Sequence, residues 1–489
     1  MQTPSFEDAL DIILAKEPRF HREVYHFLIE ALDYTRKNVA KSSHKHVSGQ
    51  ELLEGIRLYA LDRFGPMTQM VFEEWGVRAC EDFGEIVFLL VGTTILFSGY
   101  DFNVFLLALP QIQHTLHIPE DEAGLTAMFF RLATLAALFI APLADLFGRR
   151  RLLLVTVFGE ALFTLLSAFA QNYPEFVWAQ IFARIFGYSE EILCFVVIAE
   201  EINEKARGWS IGTLGAMNAT GAGLASLVFA LINLLPFGWR AMYLIGGSVL
   251  LILAYYRRWL SETKRFEIRR QELDLLGNKA TAGWDMIVRL IKEHPGRLAA
   301  MLVAVGAFGF AIGPSVVLMA KYLQDTQHFQ PWQVTILYVF GGFVSVAGNV
   351  LMGRISDRFG RKRVMFACAF ICGAAFLAFY SGMGGWAVSI VWIVAIFGYL
   401  SSDALMAGSP AEIFPTAYRA TTATLRYVVT TLAGALSLAL EGVFYDWFGA
   451  HGPAIALPLV AMPVALVAIL CLPEAAGRTL EEIADSPTG

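Results

Sequence analysis

Charge is what this sequence has least of. Asp, Glu, Lys and Arg make up 16% of its 489 residues, against 56% hydrophobic residues and a mean hydropathy of +0.55. Soluble domains average about a quarter charged residues, so an ordinary water-soluble fold is excluded. Cysteine is scarce too. Cys80, Cys194, Cys368, Cys372 and Cys471 are scattered. Cys368 and Cys372 share an expected helix with no His or carboxylate cluster beside them. All five read as small core residues, which excludes a disulfide framework and a metal centre. The net charge of −6 gives no electrostatic footprint for nucleic acid. No nucleophile–base arrangement, phosphate loop or cofactor motif is present, so the chain does not read as an enzyme and no cofactor is expected. No cleavable signal peptide opens it; the first 80 or so residues are polar and mixed.

What is present instead is a series of apolar runs. Twelve runs of about 20 residues recur, each enough to cross a hydrocarbon core. They fall at 86–109, 122–144, 151–170, 175–199, 210–232 and 239–257, then at 298–322, 332–353, 363–382, 386–409, 420–442 and 453–472. Arg149 to Arg151, Lys205, Arg207, the 258–297 connector, Arg358 to Arg363 and Arg419 all fall on one side. The opposite loops and span ends hold little beyond Arg240 and Lys321. By the positive-inside rule both termini are cytoplasmic.

Two motifs repeat at one offset. Ala141-Pro-Leu-Ala-Asp145-Leu-Phe-Gly148-Arg149-Arg150-Arg151 precedes Gly353-Arg-Ile-Ser-Asp357-Arg358-Phe-Gly360-Arg361-Lys362-Arg363, with the aspartates 212 positions apart. Glu200 and Arg207 recur at the same offset as Glu412 and Arg419. Such a repeat in an apolar chain indicates a membrane protein built from two related halves. The expected fold class is all-α and polytopic: twelve transmembrane helices in two pseudo-symmetric six-helix bundles, plus a small, mainly helical N-terminal cytoplasmic domain. The expected boundaries are 1–84 for that domain, 85–257 for the first bundle, 258–297 for a cytoplasmic connector, 298–473 for the second bundle and 474–489 for a cytoplasmic tail.

In the first 84 residues, Phe20, Val24, Phe27, Leu28, Ala31 and Leu32 fall at helical spacing. Ser48 and Glu51 form a capping box before a second helix, and Gly65-Pro66 breaks the chain before a third. His44 and His46 lie in a polar loop and read as solvated. Residues 6–88 resemble a small bacterial domain that usually stands alone, a resemblance that implies no activity. In the connector, Trp284, Ile287 and Leu290 make an apolar stripe expected to lie along the inner membrane surface.

The loop signature Gly353-x-x-x-Asp357-Arg358-x-Gly360-Arg361-Lys362 and the segment Pro410-Ala-Glu412-Ile-Phe-Pro415-Thr-Ala-Tyr-Arg419 resemble the major facilitator superfamily over about residues 86–483. Leu260-Ser-Glu-Thr-Lys-Arg265 and the segment from Pro473 to Glu481 are similar to the closing segments of its sugar-porter and metabolite-symporter branches. The resemblance implies a central cavity exposed alternately to each side. Gly148 and Gly360 permit a sharp turn between helices. Asp145 and Asp357 are expected to bond free N–H groups of a neighbouring helix start. Arg149, Arg358, Arg361 and Lys362 can pair with Glu200 or Glu412 when the cytoplasmic side is closed. The first copy departs from the signature at Ala141 and Leu146, which loosens its side of the gate.

Charges inside the bilayer are costly unless paired or wet, and so mark function. Asp101 and Arg184 fall at similar depths, as an acid and an arginine do in related transporters, and Arg131 reaches the same level. Glu190 and Glu191 follow on the fourth span, and Asp403 and Arg426 match in depth in the second half. The expectation is that Asp101 or Glu191 takes up a proton as Arg184 changes partner. Glu160 reads as a helix-packing group. Arg131, Arg184 and Arg426 favour an organic anion. The seventh span lacks the glutamines, asparagine and tyrosines of sugar porters, and the fifth lacks the Gly-Pro pattern of drug antiporters; its glycines read as packing positions. The leading expectation is a proton-coupled symporter of a small organic acid, monomeric and in a bacterial inner membrane. The alternatives are a sugar or polyol transporter, and a transporter-like receptor signalling through residues 1–84.

Overall fold

The computed structural model describes residues 21–38, 49–75, 80–140, 143–144, 148–201, 204–257, 282–415 and 418–474. Among the described residues ten helices are long and apolar enough to cross a membrane. The helices Tyr173–Glu201 and Trp239–Arg257 supply the fourth and sixth crossings. The architecture is therefore all-α with twelve membrane helices. Among the described residues there is no strand.

In chain order the first half consists of span 1 (Cys80–Leu116), span 2 (Glu122–Ile140), span 3 (Arg149–Phe169), span 4 (Tyr173–Glu201), span 5 (Glu204–Ala230) and span 6 (Trp239–Arg257). The second half begins with span 7, which breaks into Pro295–Val317 and Met319–Asp325. The break falls at Leu318, one turn after Pro314, which lies inside the first segment and has no N–H to donate to the preceding turn. Span 8 (Pro331–Phe359), span 9 (Arg361–Tyr380), span 10 (Trp386–Ile413) and span 11 (Arg419–Phe448) follow. Span 12 runs from His451 to Cys471 through a 3₁₀ segment at Leu457–Ala461.

Span 1 packs against span 5, span 3 against spans 4 and 6, span 7 against spans 11 and 12, and span 10 against spans 8 and 9. The halves meet where span 2 packs on span 11, span 5 on span 8, and span 1 on the outer end of span 7. This exchange of equivalent helices is the packing consequence of the sequence repeat. Close approach needs glycine at specific places. A Cβ on Gly221 would lie 1.8 Å from the Leu96 carbonyl oxygen, and one on Gly99 would lie 2.4 Å from that of Asn218. Gly212, Gly215 and Gly223, also expected at a packing face, have open space beside them. The helix row they share turns away from span 1, so one glycine of that group sets the contact.

Before span 1, helices Arg22–Asn38 and Gly49–Phe64 pack as a pair, with a short helix Thr68–Glu74 after a 3₁₀ turn at Gly65–Met67. Phe27 is buried against the rings of Tyr59, Phe64, Phe72 and Trp75. The expected capping Ser48 lies outside the described residues. The connector helix Ala282–Glu293 buries Leu290; the Trp284 side chain lies outside the description. Cys194, Cys368 and Cys372 are buried, but Cys471 is exposed, which corrects its assignment to the core. It sits at the last turn of span 12, where fewer neighbours cover the helix.

Candidate functional site

Arg131 lies midway along span 2, where that span faces span 11. A Cβ on Gly434 would lie 2.6 Å from the Arg131 guanidinium carbon, so glycine makes room for the head group. Thr134, one turn further in, accepts a 2.9 Å hydrogen bond from the Tyr427 hydroxyl of span 11. Tyr188, Tyr399 and Tyr427 all lie within electrostatic reach of Arg131. Among the described residues the guanidinium itself makes no hydrogen bond or ion pair, and the residue is half-buried. A guanidinium in this position carries five donors with no partner.

The other charges are accounted for differently. Arg184 is buried, with its Nη2 donating to the Phe102 carbonyl at 3.3 Å and to Gln180 at 3.4 Å. Its charge rests over the Phe102 ring, 4.4 Å from the centroid. Asp101, also buried, feels the Arg184 charge without an ion-pair contact, and its Oδ1 has no hydrogen-bond partner. The two are neighbours rather than a closed pair. Glu191 accepts from the Asn218 amide of span 5 at 3.4 Å. Arg426 and Asp403 stand 3.7 Å apart, a loose pair at the inner part of the second half. Glu190, one residue before Glu191, points elsewhere, into its own bundle, where Arg257 of span 6 meets it at 2.7 Å with both side chains almost fully buried. The helical step of about 100° separates the two adjacent glutamates onto different faces.

The outer ends of the two halves are tied together. Gln111 of span 1 donates to Gln324 of span 7 at 2.7 Å, and Gln324 donates back to the Leu107 carbonyl at 2.9 Å. Glu120, between spans 1 and 2, meets Lys321 of span 7 at 2.6 Å and His451 of span 12 at 3.1 Å. His451 also contacts Glu441 at 3.1 Å and stacks on Tyr445. The hydrogen bond from His451, the buried Lys321 ammonium and their charges hold the Glu120 carboxyl down at about 2. A cavity of about 760 Å³ opens beside this cluster, bordered by Tyr322, Tyr380 and His451. It belongs to the outer mouth rather than to the centre around Arg131. At this end the two halves are thus closed against each other.

The sequence profile of the Major Facilitator Superfamily matches residues 91–350 and 298–485. The chain belongs to this superfamily. Among its relatives, a probable 4-methylmuconolactone transporter of Cupriavidus pinatubonensis is 24% identical over 396 residues, covering 80% of this chain and 90% of that protein. The cis,cis-muconate transport protein of Acinetobacter baylyi is 25% identical over 393 residues, covering 78% and 91%. A gallate transporter of Pseudomonas putida is 27% identical over 368 residues, covering 69% and 80%. In fold, the chain is similar to the inward-open xylose transporter XylE from E. coli, with a TM-score of 0.63 at 18% identity, over 81% of this chain and 98% of that one. A superfamily member of this kind is a transporter, not an enzyme.

The superfamily loop signature can be read in the second half. Gly360 adopts φ +101°, the left-handed turn that glycine tolerates, between spans 8 and 9. Arg361 bridges Asp357 at 2.9 Å and Glu412 of span 10 at 3.0 Å. Lys362 donates to the Leu470 carbonyl at 2.9 Å, and Arg358 is exposed, as is Gly353's neighbour Arg354. One expectation is corrected here. The free N–H groups at the start of span 9 are not capped by Asp357, which is 61% exposed. They are capped by Glu474, whose Oε1 accepts from the Arg361 amide at 2.7 Å. Asp357 is used up by Arg361 one turn away, and the chain returning from span 12 brings the carboxylate that fits. Arg419 lies at the start of span 11 and donates towards the Phe414 carbonyl at 3.4 Å. In the first copy Gly148 takes φ +94° before span 3. Asp145 lies outside the described residues, as do the side chains of Arg149, Glu200 and Arg207.

Proposed function

We propose that this protein moves small organic acids across the membrane by alternating access, in symport with protons, and that Arg131 receives the substrate carboxylate. The observation that carries the reading is the Arg131 guanidinium. It is half-buried at mid-membrane depth, on the surface where the halves meet, with no protein anion paired to it among the described residues and three tyrosines within electrostatic reach. A guanidinium in low dielectric calls for an anion, and its planar fork suits a carboxylate bidentately. Tyrosine rings with hydroxyls suit an unsaturated or aromatic acid, giving apolar area and a polar tip together. Two of the relatives are named for carboxylates of that kind, muconate and gallate.

Asp101 is the group we assign to the proton. It is buried beside Arg184 but not bonded to it, so its charge state is sensitive to small movements of that arginine. A bacterial inner membrane, with both termini in the cytoplasm, completes the reading. The test is uptake into proteoliposomes under an imposed pH gradient, with cis,cis-muconate, gallate and D-xylose as radiolabelled probes. Acid uptake that follows the gradient, and disappears in Asp101→Asn, is the expected result. Uptake of D-xylose with none of either acid would overturn the substrate class; accumulation by Asp101→Asn would remove Asp101 from coupling.

A further inference from the structure

Inside the first bundle lies a second acidic cluster that the central site does not use. Glu160 of span 3 is 2% exposed and Glu190 of span 4 is 0% exposed. Glu160 packs on span 4 at Gly187, where a Cβ would lie 2.8 Å from its Oε1. Gly187 stands one turn before Glu190, which brings the two carboxyls side by side. Glu160 has no cation within ion-pair distance among the described residues; its Oε2 accepts from the Ser98 hydroxyl at 2.9 Å. Glu190 Oε1 is held by Arg257 at 2.7 Å, and Arg257 also touches the Cys194 sulfur at 3.2 Å. The second oxygen, Glu190 Oε2, is buried with no donor.

Charge counting settles the state of this pair. Among the described residues one cation, Arg257, lies at ion-pair distance from these two adjoining carboxyls, and two carboxylates in contact in a dry interior cannot both be ionised. Glu190 takes the Arg257 charge. A single proton on the pair balances its charge, and Glu190 Oε2 is the oxygen left without a donor. Among the described residues, the other titratable or charged groups facing the pair are Asp101 from span 1, Glu191 and Cys194 from span 4, and Arg257 from span 6, while Arg184 of span 4 and Tyr243 of span 6 lie next to Asp101. Asp101 stands beside Thr164, one turn from Glu160 on span 3. Polar groups thus run from Asp101 at mid-depth to Arg257 at the inner end of span 6.

We infer that Glu160 and Glu190 form a buried proton-binding site, one proton shared by two carboxyls, through which the proton taken at Asp101 is passed towards the cytoplasmic side. Charge is conserved at each step. Glu160 gives its proton to the Glu190 carboxylate as Arg257 draws away, and Glu160 is reprotonated from Asp101. Only then does Glu190 release its proton inward as Arg257 returns, so the two carboxyls are never ionised together. The inference rests on the proton-coupled reading above, and it makes Glu160 more than a packing residue.

The decisive experiment is infrared spectroscopy of the full-length protein in lipid, following the hydrogen–deuterium-sensitive carbonyl band of protonated carboxylic acids at neutral pH. Such a band, lost in Glu160→Gln and shifted in Glu190→Gln, is expected. A spectrum unchanged by Glu160→Gln overturns the site. Thermal unfolding of each variant separates this from misfolding, and Glu160→Asp, which keeps the acid, should keep a band. Gradient-driven uptake of cis,cis-muconate is expected to be lost in Glu160→Gln; persistence of accumulation there would refute the relay even if the band is present. A wild-type protein that takes up neither acid would sink the proposed function, while the band would still decide the proton site.

Discussion

At the scale of single residues, what separates the charges of this protein is whether each has a partner. Arg257 has a carboxylate, Arg184 has a carbonyl and three aromatic rings, and Arg426 has a loose aspartate. Arg131 alone of these four has none among the described residues. Replacing it with lysine keeps the charge but loses the planar fork. A charge-assisted hydrogen bond contributes about 1.5–3 kcal/mol, so Arg131→Lys should raise KM for muconate by roughly tenfold or more. Uptake kinetics check this, and an unchanged KM would take Arg131 out of the site. Sequence singled out Arg131 by depth, but its lack of a partner could not be read there. Glu190 was legible as an intramembrane acid in the same way. Its burial against Arg257 depends on span 6 lying beside span 4, which spacing along the chain does not encode.

At the scale of elements, two features give opposite expectations for similar substitutions. A Cβ at Gly221 would meet backbone of span 1 at 1.8 Å, whereas one at Gly223 would meet open space. Overpacking costs about 1–3 kcal/mol, so Gly221→Ala should lower the unfolding temperature in detergent. Gly223→Ala should leave it level or raise it slightly, since alanine favours the helix by about 1 kcal/mol. Equal losses in both would show that the span 1–span 5 contact is not glycine-limited. The second feature is the cap on span 9. Removing a side-chain cap costs about 1 kcal/mol, and Glu474→Ala should speed hydrogen exchange at the Arg361 and Lys362 amides while leaving the far end of span 9 unchanged. The segment around Glu474 was recognisable in sequence. Its role was not, because a cap is made between chain ends that meet only after span 12 has packed.

At the scale of the whole molecule, the outer seal ties the loop between spans 1 and 2 to spans 7 and 12. Glu120 contributes to that closed state as a carboxylate, with its pKa drawn from an ordinary value of 4.5 to about 2. A depressed acid stabilises the state that depresses it at pH above its ordinary value and loses that contribution as pH falls towards 2. Above about pH 4.5 the share of the latch that comes from the Glu120 carboxylate's own ionisation is therefore constant, and acidification below that value should loosen it. Glu120→Gln should open the outer mouth at neutral pH in the same sense. Electron paramagnetic resonance distances between labels at His114→Cys and Thr326→Cys, in a background without other cysteines, should lengthen or broaden. A distribution identical to the parent would show that Glu120 does not hold the closed state.

The sequence by itself determined the membrane, the number of crossings and the two-half plan. Apolar runs must span a bilayer as helices, and a repeat at constant offset must fold twice in the same way. It also marked nearly every charge worth asking about, since a charge within an apolar run stands out. The tertiary structure decided which charges meet. It left Arg131 open at the join of the halves, drew Glu190 inward to Arg257 and Glu160, and gave the cap of span 9 to Glu474 instead of Asp357. The reason is physical. Helix periodicity fixes the direction of a side chain about its own axis, but a partner on another helix is set by packing between helices.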